Sequence, residues 1–227
     1  MREIVFDTET TGLDPRTGDR MVEIGCIELM NRVPTGRTFH AYFNPERPMP
    51  LEAEQVHGLS DAFLSDKPRF HETAVGLLEF IADSPLVAHN ASFDFGFLNC
   101  ELAACGHGEV SLERMVDTLS IARRRHPGAK HSLDALCTRY GVDRSHRVRH
   151  GALLDAELLA QVYVELTGGR QIGLELAAER RETVIEVVHF TAVRRAFRAP
   201  RPHSASPEEM ARHKAFVETL NSPLWAT

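Results

Sequence analysis

An apolar run that starts almost at the first residue, Ile4-Val5-Phe6, leads straight into Asp7-Thr8-Glu9-Thr10-Thr11-Gly12. The run reads as a short strand, and in a strand residues i and i+2 point to the same side. Asp7 and Glu9 therefore project together. Two like charges held that close raise each other's pKa unless something neutralises them. A divalent metal is the simplest neutraliser, because hard cations take carboxylate oxygens. The alternative for this segment alone is a strand running into a polar turn with solvated carboxylates. The choice between the two depends on what other carboxylates the chain brings to the same place.

The remaining composition permits a nuclease without announcing one. The chain has 227 residues, enough for one sizeable domain and an appendage, with ordinary hydrophobic (43%) and charged (26%) contents. A net charge of −6 and a pI near 6.1 give no bulk basic signal for nucleic acid, but a metal-dependent nuclease needs acidic residues in its site. Cys26, Cys100, Cys105 and Cys137 form no C-x-x-C pair, so buried free thiols in a reducing cytosol are expected rather than a zinc site or disulfides. No basic-then-apolar leader and no apolar run of ~18 residues is present, which points to a soluble, cytoplasmic protein with no membrane partner.

Residues 1–168 read as one α/β domain. Strands are expected at Glu3–Phe6, Met21–Leu29 and Arg37–Phe43, separated by Gly12–Gly18 and by Pro34-Thr35-Gly36. Such short connections favour an antiparallel meander. A Pro-rich loop follows (Pro45, Pro48, Pro50), then a helix near Thr73–Ile81, a strand at Leu86–Ala88, a helix over Phe93–Ala104 and a strand at Arg114–Asp117. Helices are expected at Leu119–Arg125, Ser132–Tyr140 and Ala152–Leu166. The last carries Leu154, Leu158, Leu159, Val162 and Leu166 at helical spacing and is stopped by Gly168-Gly169. Ala199–Ser206 reads as a linker, and Ser206-Pro207-Glu208-Glu209 reads as a capping box opening a helix to about Leu220.

Two further acidic segments complete the pattern. His89-Asn90-Ala91-Ser92-Phe93-Asp94 puts Asp94 in the first turn of a helix directly after a strand. His150-Gly151-Ala152-Leu153-Leu154-Asp155 puts Asp155 in the first turn of the long helix, with His150 in the loop before it, where Gly151 gives it freedom to swing in. Singly, each has an ordinary explanation: helix-dipole chemistry for the aspartates, a surface position for the histidine. Together, Asp7, Glu9, Asp94, Asp155 and His150 are the inventory for two-metal phosphodiester hydrolysis, with a neutral histidine to take a proton from water.

These segments resemble, in the same order, the three motifs of the DnaQ-like (DEDDh) exonuclease family: DTETTG, HNASFD and HGALLDA. The match covers about residues 3–168. It implies a ribonuclease H-like fold, α/β, with a mixed five-stranded sheet flanked by helices. It further implies that Asp7, Glu9, Asp94 and Asp155 hold two divalent ions (Mg2+ or Mn2+), that His150 is the general base, and that the reaction is 3′→5′ removal of nucleoside monophosphates from a single-stranded DNA 3′ end. The segment Glu52-Ala53-Glu54-Gln55-Val56-His57-Gly58 resembles a stretch of the proofreading members of the family, which assigns Glu52 and His57, with Asp7, Glu9 and Asp155, to the terminal nucleotide. Ser92 stands where alanine is common.

The tail resembles that of members bound to a replicative polymerase. Gln171-Ile172-Gly173-Leu174-Glu175-Leu176 is similar to a sliding-clamp peptide, in which Gln171, Leu174 and Leu176 would fill small pockets. The terminal helix and Ser222-Pro223-Leu224-Trp225 resemble a segment that docks the polymerase subunit. The expected organisation is thus an exonuclease domain (1–168), a clamp-binding segment and linker (169–206) and a polymerase-binding tail (207–227), in a cytoplasmic replication assembly. Two alternatives stay open at this point: a stand-alone DEDDh nuclease for RNA ends or oligoribonucleotides, and a chain that mainly scaffolds polymerase to clamp.

Overall fold

The structure is a computed structural model that describes residues 1–147, 149–169 and 204–221. The chain divides into two units, Met1–Ala177 and Ala178–Thr227. The first is built on a five-stranded sheet of order β3-β2-β1-β4-β5, with β1 at Arg2–Thr10, β2 at Met21–Met30, β3 at Val33–Tyr42, β4 at Leu86–Ala88 and β5 at Met115–Asp117. β1, β2 and β3 form an antiparallel meander, and β4 and β5 add in parallel, so the sheet is mixed as expected.

Alternation along β1 assigns the two faces. Ile4 and Phe6 enter one buried cluster with Ile24, Cys26 and the helices α3 (Phe70–Ile81) and α4 (Ser92–Ala104). Val5 enters the opposite cluster with Ile27, Leu29, Val87 and the residues Ala156, Leu159, Ala160 and Tyr163 of α7 (Ala152–Leu166). Both faces of β1 are thus covered, which explains why its apolar run has no polar alternation. Behind α7 lie α5 (Thr118–Arg125) and α6 (Leu133–Tyr140), joined to it through Ala122, Leu136, Cys137, Leu158, Val162 and Leu166.

Four local expectations need correction. First, β1 does not end at Phe6 but runs on to Thr10, because β2 continues beside it and pairs Asp7 with Gly25 and Glu9 with Glu23. Second, Pro34-Thr35-Gly36 is not the turn. Asn31 and Arg32 make it, both with positive φ (51° and 65°), and Pro34 lies inside β3. A two-residue turn with both residues left-handed matches the twist of a hairpin, and β3 is the edge strand, where a proline's missing N–H costs little. Third, the Pro-rich stretch is followed by two helices that periodicity did not reveal, α1 (Leu51–His57) and α2 (Asp61–Leu64), each too short to show a stripe. Fourth, Cys100 is exposed and Cys105 partly so, while Cys26 and Cys137 are buried; all four are free.

The second unit contributes α8 (Pro207–Glu218). Ser206 accepts from Glu209 N and the Glu209 carboxylate accepts from Ser206 N, the expected capping box. Gln171, Leu174, Leu176 and Trp225 lie outside the described residues. Among the described residues no helix is long and apolar enough to cross a membrane.

Candidate active site

Strand length builds the site. β4 stops at Ala88, whereas β1 continues to Thr10. The last turn of β1 therefore stands clear of its parallel neighbour, and the loop after β4 returns there to start α4. In that loop Asn90 adopts φ +65°. Asp117, at the end of β5, accepts from the backbone N–H of Asn90 (3.0 Å), Ala91 (3.3 Å) and Leu119 (3.0 Å), fixing the loop to the start of α5. Asp94, buried in the first turn of α4, accepts from Thr8 Oγ1 at 2.8 Å. Thr8 lies on the α4 face of β1 and Asp7 and Glu9 on the α7 face, so the strand carries carboxylate-binding and carboxylate groups on its two sides.

Asp155 arrives from that second side. Gly25 is paired with Asp7, and a Cβ built on it would lie 2.3 Å from both Leu153 Cα and Leu153 N. The backbone of the first turn of α7 thus rests on β2 at this glycine, which brings Asp155 beside the end of β1. Gly25→Ala forces helix backbone away from strand backbone. The expected result is a loss of about 1–3 kcal/mol of stability and, since a shift of about 1 Å can cost ~10²-fold in rate, a drop in activity of that order. Thermal melting and a nuclease assay on the same sample check both.

His150 precedes α7 in a loop anchored elsewhere: its N–H donates to Val56 O at the end of α1 (3.3 Å). The ring is half exposed, and Nδ1 lies 3.1 Å from Asp155 Oδ2. Gly151 has φ −164°, extended backbone open to any residue, so the conformational freedom expected of it is not used. Ligand atoms of Glu9, His150 and Asp155 lie within 4.8 Å of one another. Asp7 and Asp94 stand outside this tight group, joined to it by mutual charge.

The electrostatics are those of an under-neutralised acidic cluster. Burial, then the charges of Asp94, Glu9 and Asp155, push the Asp7 carboxyl well above its ordinary value. Burial, then Glu23 and Asp155, push Glu9 up to about 8. Burial raises Asp94 to about 7 against the hydrogen bond from Thr8, which favours its charged form. Glu9 Oε1 is buried without a hydrogen-bond partner among the described residues. A buried, unpartnered carboxylate oxygen amid three other carboxylates fits a hard divalent cation, and oxygen-rich donor sets suit magnesium or manganese.

His57 is also buried; Nδ1 accepts from Leu59 N (3.0 Å), while Nε2 has no hydrogen-bond partner, and burial lowers the ring's pKa. Glu52, on the same helix α1, is exposed. The residue that sequence reasoning missed is Arg147. Its side chain is 9% exposed, and it donates to both oxygens of Asp155 (Nη2 to Oδ2 at 2.7 Å), to Asp134 Oδ1 on α6 (2.8 Å) and to His150 Nδ1 (Nη2, 2.7 Å). In the sequence it belongs to a basic stretch with Arg144 and Arg149, where a solvated face is the default reading.

The chain is similar to known exonucleases and polymerase subunits. The RNase_T family, described as exonuclease, matches residues 4–163. The chain is 50% identical over 223 residues to the DNA polymerase III subunit epsilon of Rickettsia felis, covering 97% of each. It is 40% identical over 236 residues to the subunit of that name from Escherichia coli K12, covering 99% of this chain and 97% of the other. Among solved structures it is similar to exonuclease X in complex with 5′ overhanging duplex DNA (26% identity, TM-score 0.57, 73% of this chain and 90% of that one). Similarity to Escherichia coli exonuclease I in complex with a dT13 oligonucleotide (16% identity, TM-score 0.62, 73% of this chain and 40% of that one) concerns the fold.

Proposed function

The chain belongs to the RNase_T exonuclease family, and from that premise we propose that it is the 3′→5′ proofreading subunit of a replicative DNA polymerase of the polymerase III type, working in the cytoplasm. The observation that carries the chemistry is the Glu9–His150–Asp155 group with its unpartnered Glu9 oxygen. The observation that carries the assignment to a polymerase is similarity to epsilon subunits over 97% of the chain, tail included, where a free-standing nuclease would need only the first unit.

In this reading Asp7, Glu9, Asp94 and Asp155 hold two divalent ions, magnesium or manganese. When bound, such ions stabilise charge developing on the phosphoryl oxygens and make water a better nucleophile. His150, exposed on one side and held to Val56 O by its backbone, takes the proton of the attacking water at a ring nitrogen. The water oxygen bonds to phosphorus as the bond to the preceding 3′ oxygen breaks, that oxygen takes up a proton, and a nucleoside 5′-monophosphate leaves. His57, with a buried free Nε2, and Glu52 face the terminal nucleotide of a single-stranded 3′ end. A mispaired end frays at lower cost than a paired one, so selectivity needs no reading of base identity.

Residues 1–168 form the exonuclease domain, 169–206 a segment that binds the sliding clamp through Gln171, Leu174 and Leu176, and 207–227 a tail that binds the polymerase α subunit. Support for the tail's role comes from α8, where Met210 (57% exposed) and Phe216 (60%) leave apolar surface open. Tethering raises the local concentration of nuclease at a primer end without a basic surface, which suits a net charge of −6. The deciding experiment is removal of residues 170–227. Digestion of single-stranded DNA by residues 1–169 should persist, while co-purification with the polymerase subunit and the clamp is lost. Unchanged polymerase binding would favour the stand-alone nuclease.

A further inference from the structure

Arg147 meets three partners with one planar group. Its fork closes on both oxygens of Asp155, its Nη1 holds Asp134 Oδ1 at 2.8 Å, and its Nη2 lies 2.7 Å from His150 Nδ1. Asp155 Oδ2 in turn lies 3.1 Å from His150 Nδ1. Asp155 is 2% exposed and has its oxygens engaged, whereas Glu9 Oε1 has no partner among the described residues. The carboxylates of the site are therefore unequal: one is open, and one already carries a cation. That cation acts on the rest of the cluster too, since the guanidinium charge favours the ionised forms of Asp7 and Glu9.

We propose that Arg147 is a built-in counter-cation that shares Asp155 with the divalent ion, so that ion binding to the protein alone is held down until the guanidinium yields its grip on Asp155 and stays on Asp134. A guanidinium cannot lose its charge, and two cations on one carboxylate repel. An ion that uses Asp155 must therefore either displace the fork or accept that repulsion. Asp134, on α6 and 46% exposed at its side chain, holds Arg147 Nη1 from the side away from Asp155's fork atoms Nε and Nη2 and also binds Arg144 (2.9 Å), so it offers the displaced group a place to remain. While the fork stays in place the guanidinium also occupies the Nδ1 lone pair of a neutral His150 (2.7 Å), so release of Arg147 frees that nitrogen as a base as well as freeing Asp155 for the metal.

The inference rests on the reading of Glu9 and Asp155 as metal ligands, and the test separates the two. Mn2+ binding to the full chain without DNA is followed by the electron paramagnetic resonance signal of free Mn2+. Wild type should bind and Glu9→Gln should not; if Glu9→Gln binds like wild type, the ligand reading falls. Given that result, Arg147→Gln should bind Mn2+ about tenfold tighter than wild type, and Arg147→Lys, which keeps a charge but has no fork, about threefold tighter. The Mn2+-induced rise in melting temperature should be larger in Arg147→Gln than in wild type, because Asp155 is then a buried charge without a partner until the ion arrives. Arg147→Gln binding with equal or weaker affinity overturns the proposal. If Arg147→Gln fails to fold, Arg147→Lys decides, and no tightening there overturns it.

Discussion

Glu9→Gln should abolish metal-dependent digestion of a 3′ end while making the chelated protein more stable at pH 8. On the proposed reading the first effect follows from losing a metal ligand, and Glu9 Oε1 has no hydrogen-bond partner among the described residues. Metal stabilisation of a phosphoryl transition state is worth several kcal/mol, so a loss of at least ~10³-fold in rate is expected. The second effect follows from the raised carboxyls. Glu9 at about 8 and Asp94 at about 7 hold protons in the folded protein that the unfolded chain has released. The folded state thus binds more protons between about pH 4.5 and 8, and stability falls as pH rises through that window. In chelator, wild type should melt lower at pH 8 than at pH 5. Glutamine at position 9 removes one buried charge and should recover on the order of 2 kcal/mol at pH 8, roughly 4–8 °C for a domain of this size. Adding Mg2+ or Mn2+ should raise the melting temperature of wild type and not of the variant. A variant that retains activity, or that melts lower than wild type in chelator at pH 8, would refute the assignment of Glu9.

His150→Ala carries the second large effect, and here the structure poses a question the motif does not. The His150 ring belongs to the same tight group of ligand atoms as Glu9 and Asp155, so it could serve as a ligand or as a base. Its half-exposed position, and the preference of magnesium for oxygen, favour the base. Removal should then cost about 10²–10⁴-fold in kcat and leave the affinity for Mn2+ unchanged. Parallel loss of Mn2+ binding and of activity would make His150 a ligand instead.

The carboxylates and the histidine were legible because each lies at a junction that the sequence marks: an apolar run that ends in acids, a short strand that stops just before His89, a glycine before the long helix. What escaped reading depends on contacts between distant segments. Arg147 acquires its role only when α6 and α7 bring Asp134 and Asp155 around it; along the chain it is one arginine among several. Gly25 was legible in principle, since a glycine between Ile24 and Cys26 in an apolar strand signals close backbone approach, but only the structure shows that α7 fills the space. The turn at Asn31-Arg32 was hidden by the stronger local signal of Pro34 and Gly36. That proline could be overruled because β3 is an edge, a property of sheet order rather than of the segment itself. The short helices α1 and α2 lack the length to display a period, and α1 carries His57 into the site's neighbourhood all the same.

The edge strand has a further consequence. The first half of β3 is broken as an edge: Pro34 presents no N–H and Gly36 turns with φ +84°, where its pairing with β2 also slips between Ile27 and Leu29. At the opposite margin β5 is three residues long. A second copy of the chain would find a regular edge only over Thr38–Tyr42, so strand addition along the rest of β3 and along β5 is disfavoured.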